Sequence, residues 1–180
     1  MIVKFNKPFN VLSQFTDNSE NATERGNLSD FISIPKIYPV GRLDKDSEGL
    51  MLLSDDGTLQ HKLSCPKNKI KKTYYVQVEG EPKLADLDLL RGGIKLKDGI
   101  TSPAEVKVIE APCLWDRVPP IRVRKTVPDS WIEIIIYEGR NRQIRRMTAA
   151  VGHPTLRLIR IKIGSYSLDN LMPGDFETIA

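Results

Sequence analysis

Apolar and polar residues alternate along several stretches of this chain, and the period of two marks its strands. MIVKFNKP opens with such alternation and stops where Pro8 removes a backbone donor. The same reading predicts strands over TYYVQVEG (73–80), SWIEIIIYEG (130–139) and TLRLIRIKIG (155–164). LMLLS (50–54) is a continuous apolar run closed by the turn signal Asp55-Asp56-Gly57, as expected of a short buried strand. Spacings of three and four predict a helix over TLQHKL (58–63), with Thr58 as N-cap. A second helix is predicted over EPKLADLDLLRGG (81–93), opened by Pro82 and with Gly92 past its end. A third covers NRQIRRMTAAVG (141–152), with Asn141 as N-cap. GIKLKDGITSPAEVKVIEA (93–111) reads as two strands about a Lys-Asp-Gly turn. Residues 11–39 are polar and loop-rich, with a short helix expected near GNLSDFI (26–32). Residues 112–130 hold four prolines and read as a connector. Strands mixed with helices in this way predict an α/β fold.

Composition narrows the class. The chain has 180 residues, 40% hydrophobic and 28% charged, the profile of a globular domain or of two small lobes around a real core. No segment approaches the roughly 20 apolar residues of a membrane helix. MIVKFNKPF has neither the apolar stretch nor the cleavage site of a secretory signal. Cys65 and Cys113 lie far apart and share no metal-ligand spacing with His61 and His153. Free thiols and no export signal point to the cytoplasm.

Charge is unevenly distributed. Between Pro119 and Lys162 there are ten Lys/Arg against three Asp/Glu, so the rest of a chain of net +4 is acidic. A second basic run, KLSCPKNKIKK (62–72), holds five lysines and no acid. Either patch alone is compatible with a solvated surface; two on an acidic body suggest a polyanion, with nucleic acid the usual one.

Two clusters carry candidate chemistry. GRLDKDSEGLMLLSDDG (41–57) packs five carboxylates around an apolar run. Asp44, Asp46, Glu48, Gly49 and Asp55 match positions 1, 3, 5, 6 and 12 of a calcium-binding hand loop. That reading wants a Glu at the last position and helices on both sides, whereas SIPKIYPVG precedes the loop and strand and turn signals follow it. The second cluster, EGRNRQIRRM (138–147), crowds Arg140, Arg142, Arg145 and Arg146 at a helix start, where cations oppose the helix dipole. Ile144, Met147 and Val151 form the apolar stripe, leaving Arg142, Arg145, Arg146 and Ala149 off it. Phosphates, or a carboxylate paired with one arginine, would offset that penalty.

These stretches carry a family resemblance. GRLDKDSEGLMLLSDDG, KKTYYVQVEG (71–80) and EGRNRQIRRM with LRLIRIKIG (156–164), in that order, resemble the three motifs of the RsuA-type ribosomal RNA pseudouridine synthases. NKPFNVLSQFTD (6–17) resembles the strand that opens their catalytic domain. PPIRVRKTVPDSW (119–131) and PTLRLIRIKIGSYSLDNLMPG (154–174) resemble the subclass E members, which act on large-subunit (23S) ribosomal RNA. The resemblance implies the pseudouridine synthase fold, a mixed, mainly antiparallel sheet in two lobes with a central catalytic cleft. It implies a single catalytic domain over residues 1–180, without the N-terminal S4-type RNA-binding domain of many members. RNA affinity is then expected from the catalytic domain itself, acting as a monomer away from membranes.

The resemblance also assigns residues. Asp44 matches the essential aspartate, acting either as the nucleophile or as the base that triggers glycosidic cleavage. It is expected to be ionised in a dry pocket with a cationic partner, and Arg145 matches the family's pairing arginine. Tyr74 matches the residue that lies against the target base and helps remove the C5 proton; an aromatic in a strand is equally explained as core. Leu158 matches an apolar pocket residue, again with core packing as the alternative. Arg42, Leu43, Lys72, Arg140, Arg142 and Arg146 are assigned to substrate binding. Uridine is isomerised in place, with no redox step and no external group, so no cofactor and no metal are expected. The target base has to leave its stack to react. A non-catalytic RNA-binding module using the same basic faces is the alternative from another class.

Overall fold

In the computed structural model the described residues are 1–122 and 124–179; Val123, in the proline-rich connector, and Ala180 lie outside them. The strands and α-helices run β1 (Ile2–Lys7), β2 (Tyr38–Pro39), β3 (Glu48–Ser54), α1 (Gly57–Ser64), β4 (Lys72–Glu79), α2 (Leu84–Gly92), β5 (Lys95–Leu96), β6 (Gly99–Ile100), β7 (Glu105–Ile109), β8 (Asp129–Ile136), α3 (Gln143–Ala150), β9 (Thr155–Ile163), β10 (Tyr166–Ser167) and β11 (Phe176–Ile179). The fold is therefore α/β, with few helices and a mainly antiparallel sheet pairing. Among the described residues no helix is long and apolar enough to cross a membrane.

The chain divides into two compact units. The first is Met1–Ile70 with the segment from Arg160 onward, and the second is Lys71–Ile159; the chain passes from one to the other within β9. In the first unit β1 lies between β11 and β3, antiparallel to both, and β3 has β9 on its other side. Val3 and Phe5 share one face of β1, Met51 and Leu53 one face of β3, and with Leu28, Ile32, Ile37 and Leu43 they form the core. All seven β3 residues are buried, which explains its unbroken apolar run. Gly49 in β3 has φ +105°, and a Cβ there would meet the Arg160 main chain, the nitrogen at only 2.8 Å. At the edge, buried Lys4 reaches Asp169 (2.6 Å) and Glu177 (3.0 Å), clasping β11 to β1.

The second unit is built on β4, which pairs with β8 antiparallel from Lys72↔Ile136 to Glu79↔Asp129. The outer strand β7 joins β8 from Glu105↔Ile135 to Ile109↔Trp131. Tyr74, Val76 and Val78 of β4 pack with Ile132, Ile134 and Ile136 of β8. Leu87 and Leu90 of α2 and Ile144 and Met147 of α3 cover the same cluster.

Local chemistry departs from the sequence reading at several ends. Asp56, not Thr58, caps α1, its carboxylate accepting from the Thr58 (2.9 Å) and Leu59 (3.3 Å) amides. The second helix starts at Leu84, after Lys83, and the residue past its end is Gly93, at φ +101°. The Lys-Asp-Gly turn joins only the short β5 and β6; β7 is a third, separate strand, begun after Ser102-Pro103. Asn141 does not cap α3. Arg142 takes that place with left-handed backbone (φ 49°), and Gln143 accepts the Arg140 amide at 3.1 Å. The turn near GNLSDFI is a 3-10 helix, Leu28–Asp30, capped by Asn27.

Candidate active site

Asp44 stands on a loop that leaves the first unit's sheet after Val40, whose amide still donates to Leu52 (2.7 Å). Gly41, at φ +73°, turns the chain outward, and Leu43 then plunges back into the core. The Leu43 amide donates to the Ser13 hydroxyl at 2.9 Å, and that hydroxyl donates to the Leu43 carbonyl. Past Asp44, the Ser47 amide closes a turn on the Asp44 carbonyl (3.0 Å). The Lys45 carbonyl accepts from the Asn10 amide (2.6 Å) and from Lys7 Nζ (3.3 Å). Asp44 is thus fixed through main-chain bonds on both flanks while its side chain stays partly exposed. Arg42 is exposed and donates to the Gln14 side chain at 3.0 Å.

The other acids of this stretch have separate roles. Asp56 caps α1, and Asp55 holds the N-terminal ammonium at 2.6 Å. Glu48 is buried inside β3. Strand β3 and a two-residue β2 flank the segment, where a calcium-binding hand would have helices.

Lys7 lies directly behind this loop. It is fully buried, and its Nζ donates to the carbonyls of Pro8 and Val11, both at 2.8 Å, besides Lys45. Removal from water is the largest influence; the carboxylates of Glu48, Asp46 and Asp44 oppose it and Arg160 reinforces it, so Lys7 is pushed down to about 7. Unfolded, the amine titrates near its ordinary 10.5. Between those values the unfolded chain holds the extra proton, so stability should rise from pH 7 to about 10. The slope approaches ~1.4 kcal/mol per pH unit, with no contribution below pH 7 where both states are protonated. Urea melts across that range test it, and Lys7→Met should remove the slope.

The remaining assigned residues belong to the second unit. Tyr74 is 7% exposed on β4, and Leu158 of β9 is 6% exposed in the same cluster. That cluster includes Ile144 and Met147 of α3, the helix that bears half-buried Arg145. Lys72 begins β4 and is half-buried. Arg142 is exposed at the helix start.

Arg140 and Arg146 are already engaged. Arg140 donates to the carbonyls of Gly99 (3.2 Å) and Ile100 (2.7 Å) and lies 3.4 Å from Glu138. Arg146 grips Asp98 with both terminal nitrogens, at 2.8 and 3.1 Å. These bonds tie α3 to the β5–β6 hairpin and hold the Asp98 carboxyl below its ordinary range, chiefly through Arg146. Part of the cationic excess at the helix start is therefore neutralised within the fold.

Sequence reasoning missed Ser13, Lys7 and Asp98. Only Lys7 left a trace, because it follows Val3 and Phe5 in the inward phase of β1, where a lysine breaks the apolar pattern.

Comparisons with known proteins agree on one family. The family model described as RNA pseudouridylate synthase matches residues 2–150. The chain is 54% identical over 179 residues to ribosomal large subunit pseudouridine synthase E of Vibrio vulnificus, covering 99% of this chain and 75% of that protein. It is 56% identical over 177 residues to the Xanthomonas campestris protein of the same name, covering 98% and 94%. A crystal structure of a pseudouridylate synthase superposes with a TM-score of 0.81 at 28% identity, over 99% of this chain and 70% of that one.

Proposed function

The chain belongs to the RNA pseudouridylate synthase family, and we propose that it isomerises a uridine of large-subunit (23S) ribosomal RNA, as a cytoplasmic monomer. Identity of 54% and 56%, along nearly the whole of this chain, to two large-subunit pseudouridine synthases carries this reading of the substrate. The reaction breaks the bond from uracil N1 to C1′, turns the base, joins C5 to C1′ and exchanges the C5 proton for one on N1. Atoms balance without any external group. Asp44 supplies the carboxylate that triggers cleavage, Tyr74 lies against the base, Leu158 lines the pocket and Arg145 provides the cationic partner. Tritium release from C5-labelled uridine, compared between large- and small-subunit rRNA, tests the proposal. Release from the large-subunit RNA is expected; binding without release would leave an RNA-binding module.

Phosphate contacts then come from cations exposed at the surface. Lys67 is exposed in the 3-10 turn Pro66–Asn68, and Arg142 is exposed at the start of α3. Lys67→Ala, and Arg142→Asn, which tolerates left-handed backbone, should weaken binding to all RNAs alike. Each should flatten the log–log dependence of affinity on salt by roughly 0.7–0.9. Salt titrations by filter binding measure this, and a slope unmoved by both variants would refute the assignment. Arg146→Ala should disturb the β5–β6 hairpin more than the slope.

A further inference from the structure

We infer that Ser13 is a positioning residue for Asp44: its single hydroxyl holds both main-chain polar groups of Leu43 and thereby fixes the peptide that aims the carboxylate. The inference rests on the reading of Asp44 as the reacting group.

Ser13 is 7% exposed and Leu43 6%, so water does not readily take over either bond. The hydroxyl accepts the Leu43 N–H at 2.9 Å, donates to the Leu43 carbonyl, and touches Met51 Sδ at 3.5 Å. It does for Leu43 what a neighbouring strand does elsewhere, at the point where the chain has left the sheet. Ser13 is itself anchored, because Leu12 donates to Gly26 at 2.9 Å and Val11 bridges to Gly26. The Leu43 carbonyl belongs to the peptide that ends at the Asp44 nitrogen. Without the hydroxyl, two buried polar groups lose their partners, and the peptide turns to find others. The Asp44 carboxylate then moves with it, and a displacement of about 1 Å at a reacting group lowers rates by roughly a hundredfold.

Single-turnover kinetics with enzyme in excess over labelled RNA read this directly. Ser13→Ala should lower the rate constant roughly 10- to 100-fold, with the full reaction amplitude and RNA affinity retained. Ser13→Thr, which keeps the hydroxyl, should recover most of the rate. A merely structural serine would give the opposite pattern, lowering melting temperature or active fraction while the rate constant stays as in wild type. That pattern, or a folded Thr variant as slow as Ala, overturns the inference. Should the Ala variant not fold, Ser13→Cys, of similar shape and weaker hydrogen bonding, decides by the same criteria: a slow rate at full amplitude supports the inference and a wild-type rate overturns it. Asp44→Asn separates the two readings. If it keeps turnover, the reading of Asp44 fails; if it is inactive while Ser13→Ala keeps the wild-type rate, only the role of Ser13 fails.

Discussion

Asp44→Asn is expected to abolish tritium release, by about 10⁴-fold or more, the scale on which enzymes lose rate when a reacting nucleophile is removed. The substitution keeps the side chain's size and removes its ionised oxygen. The residue is partly exposed and its loop is held through main-chain bonds to Ser13, Asn10 and Lys7, so folding should be unaffected. RNA affinity should stay near wild type, because the proposed phosphate contacts, Lys67 and Arg142, lie elsewhere in the chain. Asp46→Asn and Asp55→Asn serve as controls. Asp55 is bonded to the chain's own N-terminus, and its exposed ion pair contributes little to stability. Both controls should retain turnover. Equal loss in all three variants would mean that the carboxylates act together on a shared ion.

Gly49→Ala should be the most damaging single methyl in the first unit. The site has φ +105°, a backbone region that costs a side-chain-bearing residue about 1–3 kcal/mol. The new Cβ would also press on the Arg160 main chain of the adjoining strand, which cannot swing aside as a side chain does. Overpacking of this kind adds a further ~1–3 kcal/mol, against a total stability of about 5–15 kcal/mol for a typical domain. A large fall in the urea midpoint, or insoluble protein, is the expected outcome; a midpoint equal to wild type would mean that β3 and β9 are not so closely apposed. This glycine matches the sixth position of a calcium loop, but its surroundings give it another purpose: close contact between strands.

The family resemblance implied the fold as a whole; what residue pattern alone disclosed was local. The alternation in KTYYVQVE located β4, and the apolar run after Glu48 located β3, because burial on one face or two leaves a direct imprint on residue type. Helix α3 was legible from Ile144 and Met147, but its cap was not: Arg142 takes a left-handed backbone that favours glycine or asparagine, and Gln143 supplies the hydrogen bond. The family resemblance singled out Asp44, yet nothing near it in the chain announced Ser13 or Lys7, which come from thirty or more residues upstream. Likewise Arg146 looked like an uncommitted cation, since its partner Asp98 lies 48 positions away. Hydrophobic periodicity reports which face is buried; it says little about which distant polar group meets which.

The discontinuous make-up of the first unit bears on the order in which the protein is made. Residues 71–159 form a unit contiguous in the chain, whereas the first unit needs β9 beside β3 and β11 beside β1. Until residues 160–179 have emerged, β1 lacks β11 and the outer edge of β3 is covered only by the two-residue β2, and an open edge is a template for pairing with other chains. Nascent chains stalled or truncated directly before Arg160 are therefore forms in need of a chaperone, even though they already carry Asp44 and every residue of the second unit.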